Sequence, residues 1–297
     1  MAGPILQGPG NTKEYQMGQY PIQIVDVFAE QPLAGNQLAV VRDASSLSDE
    51  EMQAIALETN YSETTFVTEE RDGVATVRIF TPAWELPFAG HPTIGTAWAL
   101  TGGEGAITLD LKAGPVDVVF VDGIGWMTPP AVNFTGSLDV EQAADLVGLS
   151  VEDLASELPV ELAEVGPKFV LIPVKDLQTL KRARFNEDLR QQLLQDDIPV
   201  QSAFLFCGGS YPELTPQADY ASRMFFESSG VREDPATGSA NTAFAAYLRK
   251  HRGHLGDVVV DQGVEIGRPS RLYLKVDETI QVGGKVYNVI EGTLSVP

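Results

Sequence analysis

Two similar segments in this sequence, and the spacing between them, limit the folds that the chain can adopt. ELPFAGHPTIGTAWAL, over residues 85–100, is followed 148 positions later by EDPATGSANTAFAAYL, over residues 233–248. That offset is close to half of the 297 residues, and it aligns five identical pairs: Glu85 with Glu233, Pro87 with Pro235, Gly90 with Gly238, Ala97 with Ala245, and Leu100 with Leu248. Chance matches are easier in Ala- and Gly-rich sequence, but the agreement with half the length favours an internal duplication.

Each half is predicted to contain many strands, one amphipathic helix (Ser48–Thr59 and Asp176–Leu194) and one helix without a polar face. A helix that is apolar all round must be buried all round. We therefore predict an α+β fold of two pseudo-symmetric halves, each a mixed, curved β-sheet wrapped around a central apolar helix. The alternative, two α+β sandwiches side by side, would leave one face of each helix in water, and the sequence contains no such face.

The predicted domain organisation follows from the duplication. Residues 1–20 are rich in glycine and proline without a period, and we expect them to be an extension or cloning remnant outside the fold. The N-terminal half is predicted over residues 21–130 and the C-terminal half over residues 131–297, divided near Pro129 and Pro130.

Charge and composition narrow the functional classes. The chain carries 20 Lys and Arg against 41 Asp and Glu, a net charge of −21. Nucleic acid and anionic membranes both require a cationic surface, so neither is an expected partner. No apolar run approaches the ~18 residues of a membrane span. Cys207 is the one cysteine, which excludes an internal disulfide and indicates a reducing, cytoplasmic location.

Start and stop signals flank both central helices. Pro92 is predicted at the first helical position of one helix, and Ser239 is predicted as the N-cap of the other. Gly102 and Gly253 are typical of helix C-termini. Unpaired backbone N–H groups and the helix dipole make each start an anion site without a basic side chain. If the two starts face each other, they would hold one small anionic substrate from both sides.

Three titratable residues are candidates for chemistry at these helix starts. His91 follows Gly90, and Asp234 precedes the turn at Gly238. Glu63 lies in NYSETTFV, between the first helix and an apolar strand, and an alignment of strand phenylalanines places Gln201 at its equivalent position. Alone, each has a structural alternative: a buried structural histidine, a plain turn aspartate and a solvated acid at a strand start. Their occurrence at matched helix starts favours function.

These motifs together resemble the PhzF family of phenazine-biosynthesis isomerases, within the diaminopimelate-epimerase-like superfamily. The matching segments stand in family order from about residue 21 to the C-terminus: VDVFAEQPLAGNQLAVV, NYSETTFV, RIFTPAWELPFAGHPTIGTA, EDPATGSANTA and DQGVEIGRPSRLYL. The resemblance implies a duplicated fold with the site between the halves, a final strand that crosses back to the first half, and a homodimer.

The resemblance also implies roles for individual residues. The family's acid/base glutamate falls on Glu63, its substrate-contacting glycine and histidine on Gly90 and His91, and its aspartate and serine on Asp234 and Ser239. We therefore expect Glu63, His91 and Asp234 to be catalytic. Gly90, Ser239 and Gly238, the repeat partner of Gly90, are expected to bind substrate.

The chemistry predicted from these residues is cofactor-free proton transfer. The superfamily's epimerases use two cysteines, so the single Cys207 excludes a two-thiol racemase. The sequence contains no metal cluster, Walker loop or dinucleotide fingerprint, and we expect neither a metal nor a cofactor. We expect one glutamate to move a proton between carbons of a small anionic carboxylate. The alternatives are a one-base epimerase or tautomerase of an amino or hydroxy acid, and a non-catalytic protein that binds small molecules.

Overall fold

The computed structural model describes residues 17–228 and 231–296. Six α-helices are present in this part of the chain, together with three short 3-10 turns. The helices are α1 (Asp49–Thr59), α2 (Gly90–Thr101), α3 (Val140–Leu146), α4 (Leu177–Arg182), α5 (Glu187–Gln195) and α6 (Gly238–Arg252).

Eighteen strands in the described residues form one continuous sheet. Those of the first half and its connection are β1 (Gly18–Val27), β2 (Asn36–Val41), β3 (Glu63–Arg71), β4 (Val74–Phe80), β5 (Glu85–Leu86), β6 (Ala106–Leu111), β7 (Gly114–Val121), β8 (Ile124–Met127) and β9 (Asn133–Gly136). Those of the second half are β10 (Glu161–Glu164), β11 (Lys168–Pro173), β12 (Ser202–Gly208), β13 (Tyr220–Ser228), β14 (Val231–Asp234), β15 (Gly256–Gln262), β16 (Ser270–Val276), β17 (Ile280–Gly284) and β18 (Val286–Val296).

The strand pairing repeats from one half to the other. In the first half, β1 pairs with β2, β2 runs parallel to β3, β3 pairs with β4, and β4 runs parallel to β6. The same pattern recurs with β10, β11, β12, β13 and β15. The equivalent strands β8 and β17 pair antiparallel and join the two halves. The α+β fold with two pseudo-symmetric halves is therefore confirmed.

The first strand of each half pairs with the strand that follows the joining strand of the other half. The last strand, β18, pairs antiparallel with β1, and β9, which follows the first half, pairs with β10 of the second. The predicted division at residue 130 stays a prediction, and the chain passes from β8 to β9 between Met127 and Asn133. The predicted extension over residues 1–20 is too long at its C-terminal end, because β1 already begins at Gly18. Its residues 1–16 lie outside the described part.

The two apolar helices occupy the centres of the halves, as the sequence predicts. Residues 90–97 of α2 and residues 238–248 of α6 are all buried. The sheet surrounds α2, which contacts strands β1, β2, β3, β6, β7 and β8. The outer face of the first half is covered by α1, and that of the second by α3, α4 and α5. In the described residues no helix is long and apolar enough to cross a membrane.

Three local predictions about the helices are wrong. Helix α2 begins at Gly90, which makes Pro92 its third residue, and α6 begins at Gly238, which makes Ser239 its second residue. The helix predicted over Asp176–Leu194 is two helices, because the side chain of Asn186 accepts a hydrogen bond from Leu189 N and starts α5. The C-terminal signals are confirmed, since Gly102 and Gly253 are left-handed residues that end α2 and α6.

The two central helices touch at their first residues. A Cβ atom added to Gly90 would lie 3.0 Å from the Cα of Gly238, and one added to Gly238 would lie 3.2 Å from the Cα of Gly90. A methyl group at either position would press against the backbone of the other helix, and glycine permits this close approach without such a contact. The helices therefore point their positive ends at one place between the halves.

Substitution of Gly90 by alanine tests this contact. We expect Gly90→Ala to lower the free energy of unfolding by about 1–3 kcal/mol, because backbone must move to admit the methyl group. Gly208→Ala is the matched control, since a Cβ there meets no atom within 4 Å. Urea denaturation of both variants measures the difference. A Gly90→Ala protein as stable as the control would show that the helix starts are not in tight contact.

Candidate active site

A cavity of about 130 Å³ lies in front of the two helix starts. All six residues that the sequence predicts for the site contribute to its lining: Glu63, Gly90, His91, Asp234, Gly238 and Ser239. Further polar residues of the wall are Ser62, Ser202 and Thr237, and apolar side chains complete it: Leu86, Phe88, Phe169, Met224 and Phe226. The structure thus brings together predicted site residues that are up to 176 positions apart in the sequence (63 to 239).

Glu63 and His91 face each other at the wall formed by the first half. Glu63 is the first residue of β3, and His91 is the second residue of α2. Glu63 Oε2 lies 3.5 Å from His91 Nε2. Both atoms are buried, and neither has a hydrogen-bond partner among the described residues. Buried polar atoms without partners are rare, and at a cavity they indicate a place where a ligand or water binds.

Burial changes the protonation of both groups. Desolvation, with the negative charge of Asp234 as a second cause, raises the pKa of Glu63 to about 8. Desolvation also lowers the pKa of His91 to about 3, against the opposing effect of a hydrogen bond with the backbone of Gln37. At pH 7 the imidazole is therefore neutral and most of the Glu63 carboxyl is protonated. The contact between them is not an ion pair under these conditions.

Asp234 approaches the same cavity from the second half. Its Oδ1 accepts a hydrogen bond of 2.8 Å from Asn36 Nδ2, and its Oδ2 accepts one from the hydroxyl of Thr237. Burial raises the pKa of Asp234 to about 6, although hydrogen bonds from Thr237, Asn36 and Ser62 act in the opposite direction. Asp234 therefore ionises at a lower pH than Glu63, and its charge then opposes the ionisation of Glu63.

Asn36 and Gln262 hold the turn that carries Asp234. Asn36 Nδ2 also donates to Ala236 O at 3.0 Å and lies 3.2 Å from His91 Nδ1, so it connects the two halves. Gln262 Nε2 donates to Asp234 O at 2.9 Å, and its Oε1 accepts from Thr237 N at 3.3 Å. Because both amides are fully buried, their hydrogen bonds fix the turn in one position.

An equivalent arginine–glutamate ion pair precedes each helix start. Arg78 Nε lies 2.9 Å from Glu85 Oε1, and Arg223 Nε lies 2.9 Å from Glu233 Oε1. Each arginine belongs to the strand before the helix, and each glutamate to the short strand that leads into it. Arg223 also donates through Nη1 to three backbone carbonyls in the segment around α4: Leu180, Lys181 and Ala183. These pairs anchor the two segments that run into the helix starts.

The sequence reasoning missed several residues of this site and misplaced one. Asn36 and Gln262 lie inside the segments that resemble PhzF proteins, and a polar residue beside a buried strand is the signal that marks them. Gln201 is not the counterpart of Glu63: it is exposed, and its side chain accepts a hydrogen bond from Lys168 N. Strand register instead matches Glu63 with Ser202, which lines the cavity.

The chemical character of the cavity suits a small anion. The helix starts have no side-chain caps, so their first N–H groups stay available to a ligand. The lining within the described residues includes no lysine or arginine. In residues 17–228 and 231–296, no group of three or more His, Cys, Asp and Glu side chains is arranged to hold a metal ion. The arrangement combines a buried carboxyl with two sets of fixed hydrogen-bond donors.

The chain is similar in sequence to proteins that are named isomerases. The chain is 38% identical over 293 residues to an uncharacterized isomerase of Pasteurella multocida, covering 94% of this chain and 95% of the relative. It is 36% identical over 268 residues to the trans-2,3-dihydro-3-hydroxyanthranilate isomerase of Pseudomonas aeruginosa, covering 86% of this chain and 89% of the relative.

Solved structures agree with the sequence relatives. The fold matches a Bacillus anthracis phenazine biosynthesis protein of the PhzF family with a TM-score of 0.83 and 28% identity, covering 94% of this chain and 99% of that one. A hydroxyproline epimerase from Agrobacterium vitis shares the fold at a TM-score of 0.61 and 12% identity, covering 94% and 93% of the two chains. The family model described as phenazine biosynthesis-like protein, PhzC-PhzF, matches residues 25–292. The chain belongs to this PhzF family, whose relatives are named isomerases.

Proposed function

We propose that this PhzF-family isomerase moves a proton between two carbons of a small carboxylate, with Glu63 as its single acid/base group. The observation that carries the proposal is the Glu63 carboxyl, whose Oε2 is buried without a hydrogen-bond partner at a cavity between two helix starts. A carboxyl with a pKa of about 8 is a stronger base than an exposed one once it is ionised. It can also return the proton near neutral pH.

The helix starts supply what the carboxylate alone lacks. A C–H bond beside a carboxylate is a weak acid unless the negative charge that develops on oxygen is stabilised. Backbone N–H groups at Gly90 and Gly238 are fixed in position, and each well-placed donor contributes ~3–4 kcal/mol to stabilising such a charge. We assign His91 and Asp234 to orienting polar groups of the substrate. Ser239 and the two glycines contribute to binding it.

The same features and the relatives support the proposed substrate class. A carboxylate fits the two uncapped helix starts, and the aromatic wall of Phe88, Phe169 and Phe226 fits a ring. The Pseudomonas aeruginosa relative is named for trans-2,3-dihydro-3-hydroxyanthranilate, a cyclic carboxylate, and this compound is the first candidate to test. A one-base epimerase remains the second candidate function, favoured by the fold shared with the hydroxyproline epimerase.

Solvent exchange tests the role of Glu63. We expect the protein to incorporate deuterium from D₂O into trans-2,3-dihydro-3-hydroxyanthranilate as it isomerises, and Glu63→Gln to lower this rate by roughly 10²–10⁴-fold. Calorimetry should show that the variant still binds. Glu70→Gln, an exposed acid on the same strand, is the matched control. Undiminished exchange in Glu63→Gln would refute the assignment, and loss of optical rotation without an ultraviolet change would favour the epimerase.

The pH dependence of kcat/KM tests the protonation states. Glu63 must be ionised to accept a proton. The pH profile should therefore have an acidic limb with its midpoint near pH 8, below which kcat/KM falls about tenfold per pH unit. Asp234→Asn removes a negative charge that raises the pKa of Glu63, so the limb should move to lower pH, whatever the loss in rate. The Glu70→Gln control should leave the limb in place. A limb that stays put or moves upward in Asp234→Asn would contradict this coupling.

We further propose that the protein acts as a homodimer in the cytoplasm. The resemblance to the PhzF family supports the dimer, and the single, buried Cys207 supports a reducing location. Light scattering after size exclusion is expected to give twice the 32.0 kDa of one chain. A mass of one chain at micromolar concentration would refute the dimer.

A further inference from the structure

The neighbours of β3 and of β12 in the sheet identify Ser202 as the residue of the second half that is equivalent to Glu63. Glu63 and Ser202 are the first residues of these strands, and each strand runs parallel to the one before it. The residue three positions after the first residue of each strand lies opposite an arginine of the neighbouring antiparallel strand. Phe66 lies opposite Arg78, and Leu205 lies opposite Arg223. These are the arginines of the two matched ion pairs. Glu63 and Ser202 therefore occupy the same position in the two halves.

The side chains of both residues face the central helices. Thr65, two residues after Glu63, accepts a hydrogen bond of 2.8 Å from the hydroxyl of Thr96 on α2. Phe204, two residues after Ser202, packs on Phe244 of α6 with ring centroids 5.7 Å apart. Side chains two apart in a strand point to the same face. Glu63 and Ser202 thus approach the cavity from opposite halves, and both line it.

The hydrogen bond of Ser202 determines what it can offer to a ligand. Its side chain is buried, with 4% of the residue exposed, and its Oγ donates to Lys168 O at 2.9 Å. A serine hydroxyl has one hydrogen and two lone pairs. With its hydrogen bound to the carbonyl, Ser202 has only acceptor capacity left for the cavity. A hydroxyl does not ionise near neutral pH, so this residue does not replace Glu63 as a base.

We propose that Ser202 is a substrate-binding residue that accepts a hydrogen bond from an N–H or O–H group of the substrate, on the wall opposite Glu63. The proposal rests on the proposed function and deepens it. It predicts that the substrate is a carboxylate with a second polar group, an amine or a hydroxyl, directed toward the C-terminal half. The first half of the molecule provides the proton-transfer group, and the second half provides recognition at the equivalent position.

Kinetics of Ser202→Ala test this assignment, with trans-2,3-dihydro-3-hydroxyanthranilate as the probe. We expect kcat/KM to fall about 5- to 10-fold, mainly through KM, since one hydrogen bond to substrate is lost. The limb near pH 8 should not move, and Ser202→Thr should retain most of the wild-type KM. Ser270→Ala is the matched control, because Ser270 is also buried and donates to a backbone carbonyl at 2.9 Å, but lies outside this cavity.

A thermodynamic cycle that combines Ser202→Ala with substrate analogues identifies the group that Ser202 contacts. Dissociation constants are measured in the Glu63→Gln background, with the probe and with its analogues lacking either the hydroxyl or the amine. Ser202→Ala should weaken binding of the probe but should not weaken binding of the analogue that lacks the group donating to Ser202. A wild-type protein that exchanges no deuterium into the probe would overturn the proposed function and this inference with it. Normal exchange with equal KM values for Ser202→Ala and Ser270→Ala would overturn the inference alone.

Discussion

The close contact of Gly90 with Gly238 is the constraint on which the rest of this structure depends. It sets two helix starts side by side, so their unpaired N–H groups meet in one small volume instead of facing solvent separately. Each helix is surrounded by sheet, and its buried residues are therefore mostly apolar. The first residue of each helix is a glycine, because the other helix lies against it. The repeat in the sequence thus encodes one shared site, since neither half can assemble these donors alone.

The two carboxyls of the site are both desolvated but have different pKa values. Asp234 has a donor on each carboxylate oxygen, whereas Glu63 Oε2 has none. Desolvation raises both pKa values, but the hydrogen bonds from Thr237 and Asn36 keep that of Asp234 nearer to its usual range. An acid that ionises first becomes a fixed charge, and its neighbour becomes the group that exchanges a proton near neutral pH. In the proposed mechanism this difference lets Asp234 carry a fixed charge while Glu63 transfers the proton, and neither role requires a charge on His91.

Much of the fold was predictable because the repeat and the apolar helices are global patterns. The burial of α2 and α6, their C-terminal glycines and the presence of Glu63, His91 and Asp234 at one cavity all follow from such patterns. Local starts were not predictable from capping signals, because neither helix start has a side-chain cap and α6 begins at Gly238, one residue before Ser239. The match of Glu63 to Gln201 failed by one residue, and a shift of one residue exchanges the two faces of a strand. Asn36 was missed because its partners lie about 200 residues away.

The exchange of strands between halves has a consequence for how the molecule forms. Gly18 at the start of β1 pairs with Val296 in β18, across 278 positions of sequence (296 − 18). Contacts this remote are slow to form, since the chain loses much entropy in closing so large a loop. During synthesis β1 would leave the ribosome long before β18, and the edge of β1 that β18 covers would stay unpaired until β18 is translated. A strand of the second half therefore completes the sheet of the half that is made first.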